Sequence, residues 1–431
     1  MKDFKKGDKK ILNAWAFYDW ANSVYSLTIV SSIFPLFMGA YLESQDIDKI
    51  SVLGIELSHT ALMTYVTAIG FLMVSIISPI LSGVADFKGN KKIFLRVFCY
   101  IGAFSCMGLY FFSIQNLFIS LILYVTALVG FWGSLVFYNS YLPDIAFKEQ
   151  QDAISAKGYS LGYIGSVLLL LVNLAMILSV PEENALQMMR YSFVLVGLWW
   201  FGFSHYTYKY LPDFTNSKKV TKDVLWNGIK ELQNVWSELQ SQIRLQKYLF
   251  AFFIYSMAVQ TVMLVASFFG ENEIAWEENG IDKTMGLIIS ILIIQLIAVL
   301  GAYLTAYISN NIGNIKTLII INFIWVGICV FAYFVISPYQ FFVTAAVVGL
   351  VMGGIQSLSR STYAKFLPDT KDTTSYFSFY DVSEKIGIVI GMVIFASVEV
   401  ITGSMRNAIL FLVVFFLVGL ILLFKVPEKI K

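Results

Sequence analysis

Asp19, Asn22, Ser23 and Ser26 recur at i, i+3, i+4 and i+7 within an otherwise apolar stretch, 13–41. That spacing puts all four on one face of a helix. A carboxylate there can accept hydrogen bonds, pair with a cation or carry a proton, but it cannot face lipid. The stripe therefore reads as part of the wall of a water-filled path. Similar stripes recur further on: Tyr138 with Ser134 and Tyr141, Gln260 with Ser256 and Tyr255, and Gln356 with Ser359, Arg360 and Tyr363. A last cluster gathers Tyr380, Asp381, Ser383, Glu384 and Lys385. Asp381 and Lys385, four apart, either neutralise one another or take part in proton movement with Asp19 and Glu384. The guanidinium fork of Arg360 suits a carboxylate, either on a bound solute or on Asp19, Asp381 or Glu384 as a structural partner.

The elements that carry these residues are membrane spans. Of 431 residues, 58% are hydrophobic and 13% charged. Twelve segments are long enough to cross ~30 Å of hydrocarbon: 13–41, 59–84, 93–113, 116–142, 157–180, 190–211, 247–270, 284–308, 316–336, 339–365, 376–401 and 406–425. Ser113–Asn116 and Ser337-Pro338 split the two longest uncharged runs. The start, with Lys2, Lys5, Lys6, Lys9 and Lys10, leads into a segment too long and polar for a signal peptide, so it is expected to stay as the first anchor. With both termini in the cytoplasm, 25 Lys and Arg fall inside and 4 outside, which is the bias that orients such chains. Cys99, Cys106 and Cys329 read as buried apolar residues. No metal cluster, phosphate loop or nucleophile set is visible, so no enzyme, no cofactor and no nucleic-acid partner are expected. A monomer in the plasma membrane is expected.

The chain repeats itself. Leu-Pro-Asp recurs at Pro143 and Pro368, 225 residues apart; Gly165 and Gly387 are 222 apart, and Asp86 and Asn310 are 224 apart. This predicts two six-span halves, 1–211 and 247–431, with a solute site at their interface. Between them, 212–246 carries Leu225, Ile229, Leu232, Trp236, Leu239 and Ile243 at helical spacing, which predicts one amphipathic helix at the cytoplasmic surface.

The loop Gly83-Val-Ala-Asp86-Phe-Lys88-Gly89-Asn90-Lys91 resembles the glycine–aspartate–glycine–basic loop motif of the major facilitator superfamily. Trp15–Ser23, Lys157–Gly165, Gly353–Ser361 and Phe379–Lys385 resemble the vacuole effluxer family, autophagy-related amino-acid exporters of fungal vacuoles and their bacterial relatives. The resemblance implies an all-α membrane protein with the twelve-helix facilitator fold, moving a small polar solute, an amino acid in the fungal members, by alternating access. It makes spans 1, 4, 7 and 10 the cavity lining. The candidate solute-binding residues are then Asp19, Asn22, Ser23, Ser26, Tyr138, Gln260, Gln356, Arg360 and Tyr380. Gly83, Asp86, Gly89, Lys91, Asp381, Glu384 and Lys385 are the candidates for gating or coupling, with a proton as the coupling ion. Asn310 replaces the aspartate in the second half, so any latch there should be asymmetric. Two rival readings are a receptor or scaffold that uses the central helix and does not transport, and a lipid flippase.

Overall fold

The computed structural model describes residues 5–47, 49–52, 54–213 and 224–427. Lys2 of the basic tail, Asp48, Lys218, Lys219 and Lys222 of the linker, and Lys429 and Lys431 lie outside those residues, as does the side chain of Leu225.

The first span has three parts: α1 (Lys9–Tyr25), a π-helical stretch (Ser26–Ser32) and α2 (Ile33–Glu43). The wide turn lies just ahead of Pro35, which offers no amide to the ladder and crowds the preceding turn. Ser32 Oγ donates to the Leu27 carbonyl at 2.6 Å within it. The polar stripe thus has a regular register through Ser23, and Ser26 opens the π stretch.

A short hairpin, β1 (Ile50–Val52) with β2 (Ile55–Leu57), occupies the first outer loop; the sequence reading holds no strand there. The rest is helical among the described residues: α3 (His59–Lys88), α4 (Lys91–Gly108), α5 (Leu117–Ser140), a short α6 (Leu142–Ile145), α7 (Lys148–Leu178), α8 (Glu182–Tyr210), α9 (Val224–Ser241), α10 (Ile243–Glu273), α11 (Lys283–Ile312), α12 (Asn314–Ala332), α13 (Pro338–Phe366), α14 (Thr373–Thr402) and α15 (Met405–Phe424). Among the described residues, eleven spans are long and apolar enough to cross a membrane. The twelfth, α8, has 29 residues, and much of its bulk is Trp, Tyr and Phe, which rank lower in hydropathy than Leu or Ile.

Local chemistry sets the ends. Ser58, Asp282 and Ser404 cap α3, α11 and α15 from their side chains. Ser337 and Gln340 close a capping box around Pro338, so the expected break there is real. Gly89 ends α3 in the left-handed region, φ 67°, which a residue with a Cβ adopts at a cost. The helix expected through Ile243 instead stops at Ser241, and Ile243 opens α10. Its buried face is Gly228, Val235 and Leu239, while Trp236 is half exposed and rests on Phe379 at 5.3 Å.

The first six spans and the last six meet along α3 with α14, α5 with α14, and α7 with α11 and α13. The N-terminal segment lies at one end of this bundle, where the Gly7 amide donates to the Ile145 carbonyl at 2.7 Å. At that same end α9 packs on α3. A Cβ on Gly83 would come within 2.1 Å of the Gly228 carbonyl oxygen, so only glycine allows this approach.

Candidate functional site

The stripes of the first half turn inward on one group from the second. Arg360, on α13, is 2% exposed and crosses into the opposite half. Its Nη1 and Nη2 each lie 3.2 Å from Asp19 Oδ2 on α1. Nε donates to Ser155 Oγ at 2.9 Å and Nη2 to the Ser155 carbonyl at 3.0 Å, both on α7. Tyr138 on α5 donates to the same Asp19 oxygen at 2.9 Å, and its ring stacks on Trp15 at 4.5 Å. The Tyr159 ring lies 4.2 Å from the guanidinium. Gly158 makes room, since a Cβ there would be 2.4 Å from Asp19 Oδ2. Removing one partner of a buried pair costs about 3–5 kcal/mol, because the other charge stays behind.

Beside this pair is a cavity with about 270 Å³ of empty space, its open mouth included. α10 lines it with Phe252, Tyr255, Ser256, Val259 and Gln260, α13 with Ile355, Gln356 and Ser359, α14 with Tyr380 and Glu384, and α7 with Tyr159. Tyr163 donates to Gln356 Oε1 at 2.6 Å, and Gln260 Nε2 donates to Glu384 Oε1 at 2.8 Å. Both amides are thereby oriented by neighbours.

Behind Glu384 stands Lys385, wholly buried. It pairs with Glu384 at 2.6 Å and Asp381 at 2.9 Å, and sits 3.6 Å over the Trp132 ring of α5. This ammonium therefore touches both halves.

At the end where the N-terminal segment packs, a second set of contacts joins the halves. Asp86, at the end of α3, accepts from the Ser375 amide at 2.6 Å and the Thr374 amide at 3.3 Å. These are otherwise unpaired donors at the start of α14, and a carboxylate there also meets the positive end of the helix. Lys91 bonds Asp144, the Ser140 carbonyl at 2.9 Å and Thr373 Oγ1 at 3.0 Å. The pseudo-equivalent joint is built differently. Asn310 is exposed, and the acid comes from α7: Asp152 accepts from Ser309 at 3.0 Å, Asn314 at 2.9 Å and Lys365.

The candidate solute-binding residues thus fall into three groups. Gln260, Gln356 and Tyr380 line the cavity. Asp19, Tyr138 and Arg360 form the buried joint next to it. Asn22 is buried and accepts from Ser23 Oγ at 3.3 Å, Ser23 faces Gly162, and Ser26 is half-buried; none of these three lines the cavity. Spans 5, 7, 10 and 11 line it rather than 1, 4, 7 and 10, because spans 1 and 4 spend their polar groups on Arg360. Tyr159, Phe252 and Tyr163 are additions. Tyr159 and Tyr163 sit within a glycine-rich motif, Gly158–Gly165, which was the available signal. Phe252 carries none, since a lone Phe in a span looks like packing. Asp152 falls outside the span expected at 157–180, because α7 begins at Lys148.

The comparisons agree with this architecture. The model of the vacuole effluxer Atg22-like family matches residues 7–430. The MFS-type transporter YxiO of Bacillus subtilis is 29% identical over 100% of this chain and 96% of its own length. Autophagy-related protein 22-2 of Aspergillus fumigatus is 22% identical over 88% of this chain and 76% of its own. The fucose:proton symporter of E. coli superposes with a TM-score of 0.68 at 14% identity, covering 97% of this chain and 98% of that one. The human organic anion transporter MFSD10 superposes with a TM-score of 0.70 at 12% identity, covering 97% and 100%. These last two likenesses carry the fold. The chain belongs to the vacuole effluxer Atg22-like family, membrane transporters built here on the twelve-helix major facilitator fold.

Proposed function

We propose that the protein moves a small polar solute by alternating access, with the cavity between α7, α10, α13 and α14 as the solute site. One observation carries this reading: the Tyr159 ring both lines the cavity and lies on Arg360, the side chain that ties the halves together. A ligand shifts a conformational equilibrium only by what it contacts differently in the two states. A solute here touches the joint itself. Gln260, Gln356 and Tyr380 make the contacts, and Asp86, Lys91 and the Asp19–Arg360 pair hold one end shut. That end faces the cytoplasm in this reading, which the placement of Lys and Arg supports, and the division into 1–211, 212–246 and 247–431 is part of the same proposal. A proton is the coupling ion, taken up by Asp19 when the parting halves remove Arg360. No covalent step is involved. The scaffold reading has less support, since the buried residues of α9 already pack on this chain.

The test is uptake into proteoliposomes across a panel of amino acids, sugars, polyols and amines, with and without a pH gradient. Saturable uptake that Gln356→Ala weakens is expected. Failure of every solute to enter above protein-free vesicles would refute transport by this site.

A further inference from the structure

The cavity is lined by charge of one sign. Four rings border it, those of Tyr159, Phe252, Tyr255 and Tyr380, and Glu384 is the one carboxylate. No Lys, Arg or His is among its lining residues. Phe252 and Tyr380 stack nearly parallel, 4.1 Å apart. The charges around it do not cancel. Lys385 serves two carboxylates, Glu384 and Asp381, and Asp381 Oδ2 is buried without a hydrogen-bond partner. On the other elements, Arg360 of α13 is matched by Asp19 of α1. Trp132 of α5 and Gln260 of α10 bring no charge. Asp86 of α3 lies more than a helical turn below, on the amides of α14. With both carboxylates ionised, the α14 triad is one positive charge short.

We propose that the cavity binds a small organic cation, its ammonium or quaternary ammonium group seated on Glu384 within the four rings. Each carboxylate oxygen has acceptor capacity beyond one bond, so Glu384 can hold such a group while keeping Gln260 and Lys385. Ring faces attract cations electrostatically, most strongly when the cation is stripped of water. The empty space, open mouth included, is about 270 Å³, which sets choline or a short alkylamine as the upper size of such a cation. The inference rests on the cavity being the solute site and names the class of solute.

Glu384→Gln is a clean probe, because Asp381 still pairs Lys385 at 2.9 Å and no charge is orphaned. The purified full chain is melted in tetramethylammonium or choline chloride, in sodium chloride of equal ionic strength, and in 3,3-dimethyl-1-butanol, the neutral isostere of choline. A ligand that binds the folded state raises the melting temperature with saturation. We expect this with both organic cations, not with the isostere, and at least tenfold weaker in Glu384→Gln and Tyr380→Leu. An equal shift from the isostere or from sodium, unaltered binding in Glu384→Gln, or stabilisation that follows pH alone would each overturn the proposal. Uptake of some other solute by a protein that ignores both cations refutes this inference and leaves transport standing. Cation binding without flux does the reverse.

Discussion

Arg360 illustrates how a single buried charge can serve as a joint. Its guanidinium is held by groups from α1, α5 and α7, all in the opposite half. In Asp19→Asn that charge stays buried without its counter-ion, a loss of about 3–5 kcal/mol. We expect a clear fall in melting temperature that Arg360→Gln reverses in the double variant. Separation of the halves hydrates an unpaired Arg360, so a cysteine at the buried position Thr374 should also become reactive to a thiol reagent. A variant with wild-type melting and no gain in reactivity would show that the pair holds nothing together. Gly158 gives an independent check. A methyl there meets Asp19 Oδ2 at 2.4 Å, Arg360 Nη2 at 3.1 Å and the Tyr138 hydroxyl at 3.2 Å. Gly158→Ala should cost about 1–3 kcal/mol, as overpacking does, and less in an Asp19→Ala background, where room is freed. Additive losses in that pair would place the strain elsewhere.

At the scale of elements, a helix end joins the two halves. The start of α14 leaves amides unpaired, and Asp86 of α3 accepts from two of them. Asp86→Asn keeps the shape and removes the charge, a loss of about 0.3–1 kcal/mol of interaction with the helix terminus. This joint lies at the rim, away from the cavity. Equilibrium binding should stay within a few-fold of wild type while the rate of flux changes and Thr374→Cys reacts faster. A collapse of affinity with the fold intact would move Asp86 into the site. The first span is a second case: Ser26 shares a face with Asp19 but stands two helical turns, roughly 10 Å, further along, where the π stretch begins.

For the whole molecule, the question is orientation. Single cysteines at the exposed positions Glu43, Asn184 and Asn279 should react with an impermeant reagent from outside intact cells, and one at Ser241 should not. The native cysteines are all buried, so the background is low. Labelling of Ser241 would invert the arrangement. The bundle also departs from its own symmetry. One joint takes its acid from span 2 and caps backbone; the other takes Asp152 from span 5 and binds side chains. The substitution of Asn310 for an aspartate signals asymmetry, but not that a different helix supplies the charge.

Twelve spans, their breaks at Ser113–Asn116 and Ser337-Pro338, the internal repeat and the loop motif are legible in the sequence because they rest on local properties: length, hydropathy, caps and turn chemistry. The need of Asp19 for a partner is legible for the same reason, since hydrocarbon tolerates no isolated charge. Which partner it takes is not. Asp19 could reach Arg360 or Lys385, and only the packing of α13 against α7 sends Arg360 to Asp19 while α14 keeps Lys385 with its own carboxylates. Periodicity tells which residues share a helix face; it does not tell what lies opposite. The stripes on spans 1 and 4 therefore looked like cavity wall and prove to close on each other around Arg360. The aromatic wall at Tyr159 and Phe252 was hidden because a ring packed in a core and a ring bordering a cavity have the same sequence signature, and tertiary contact alone separates them.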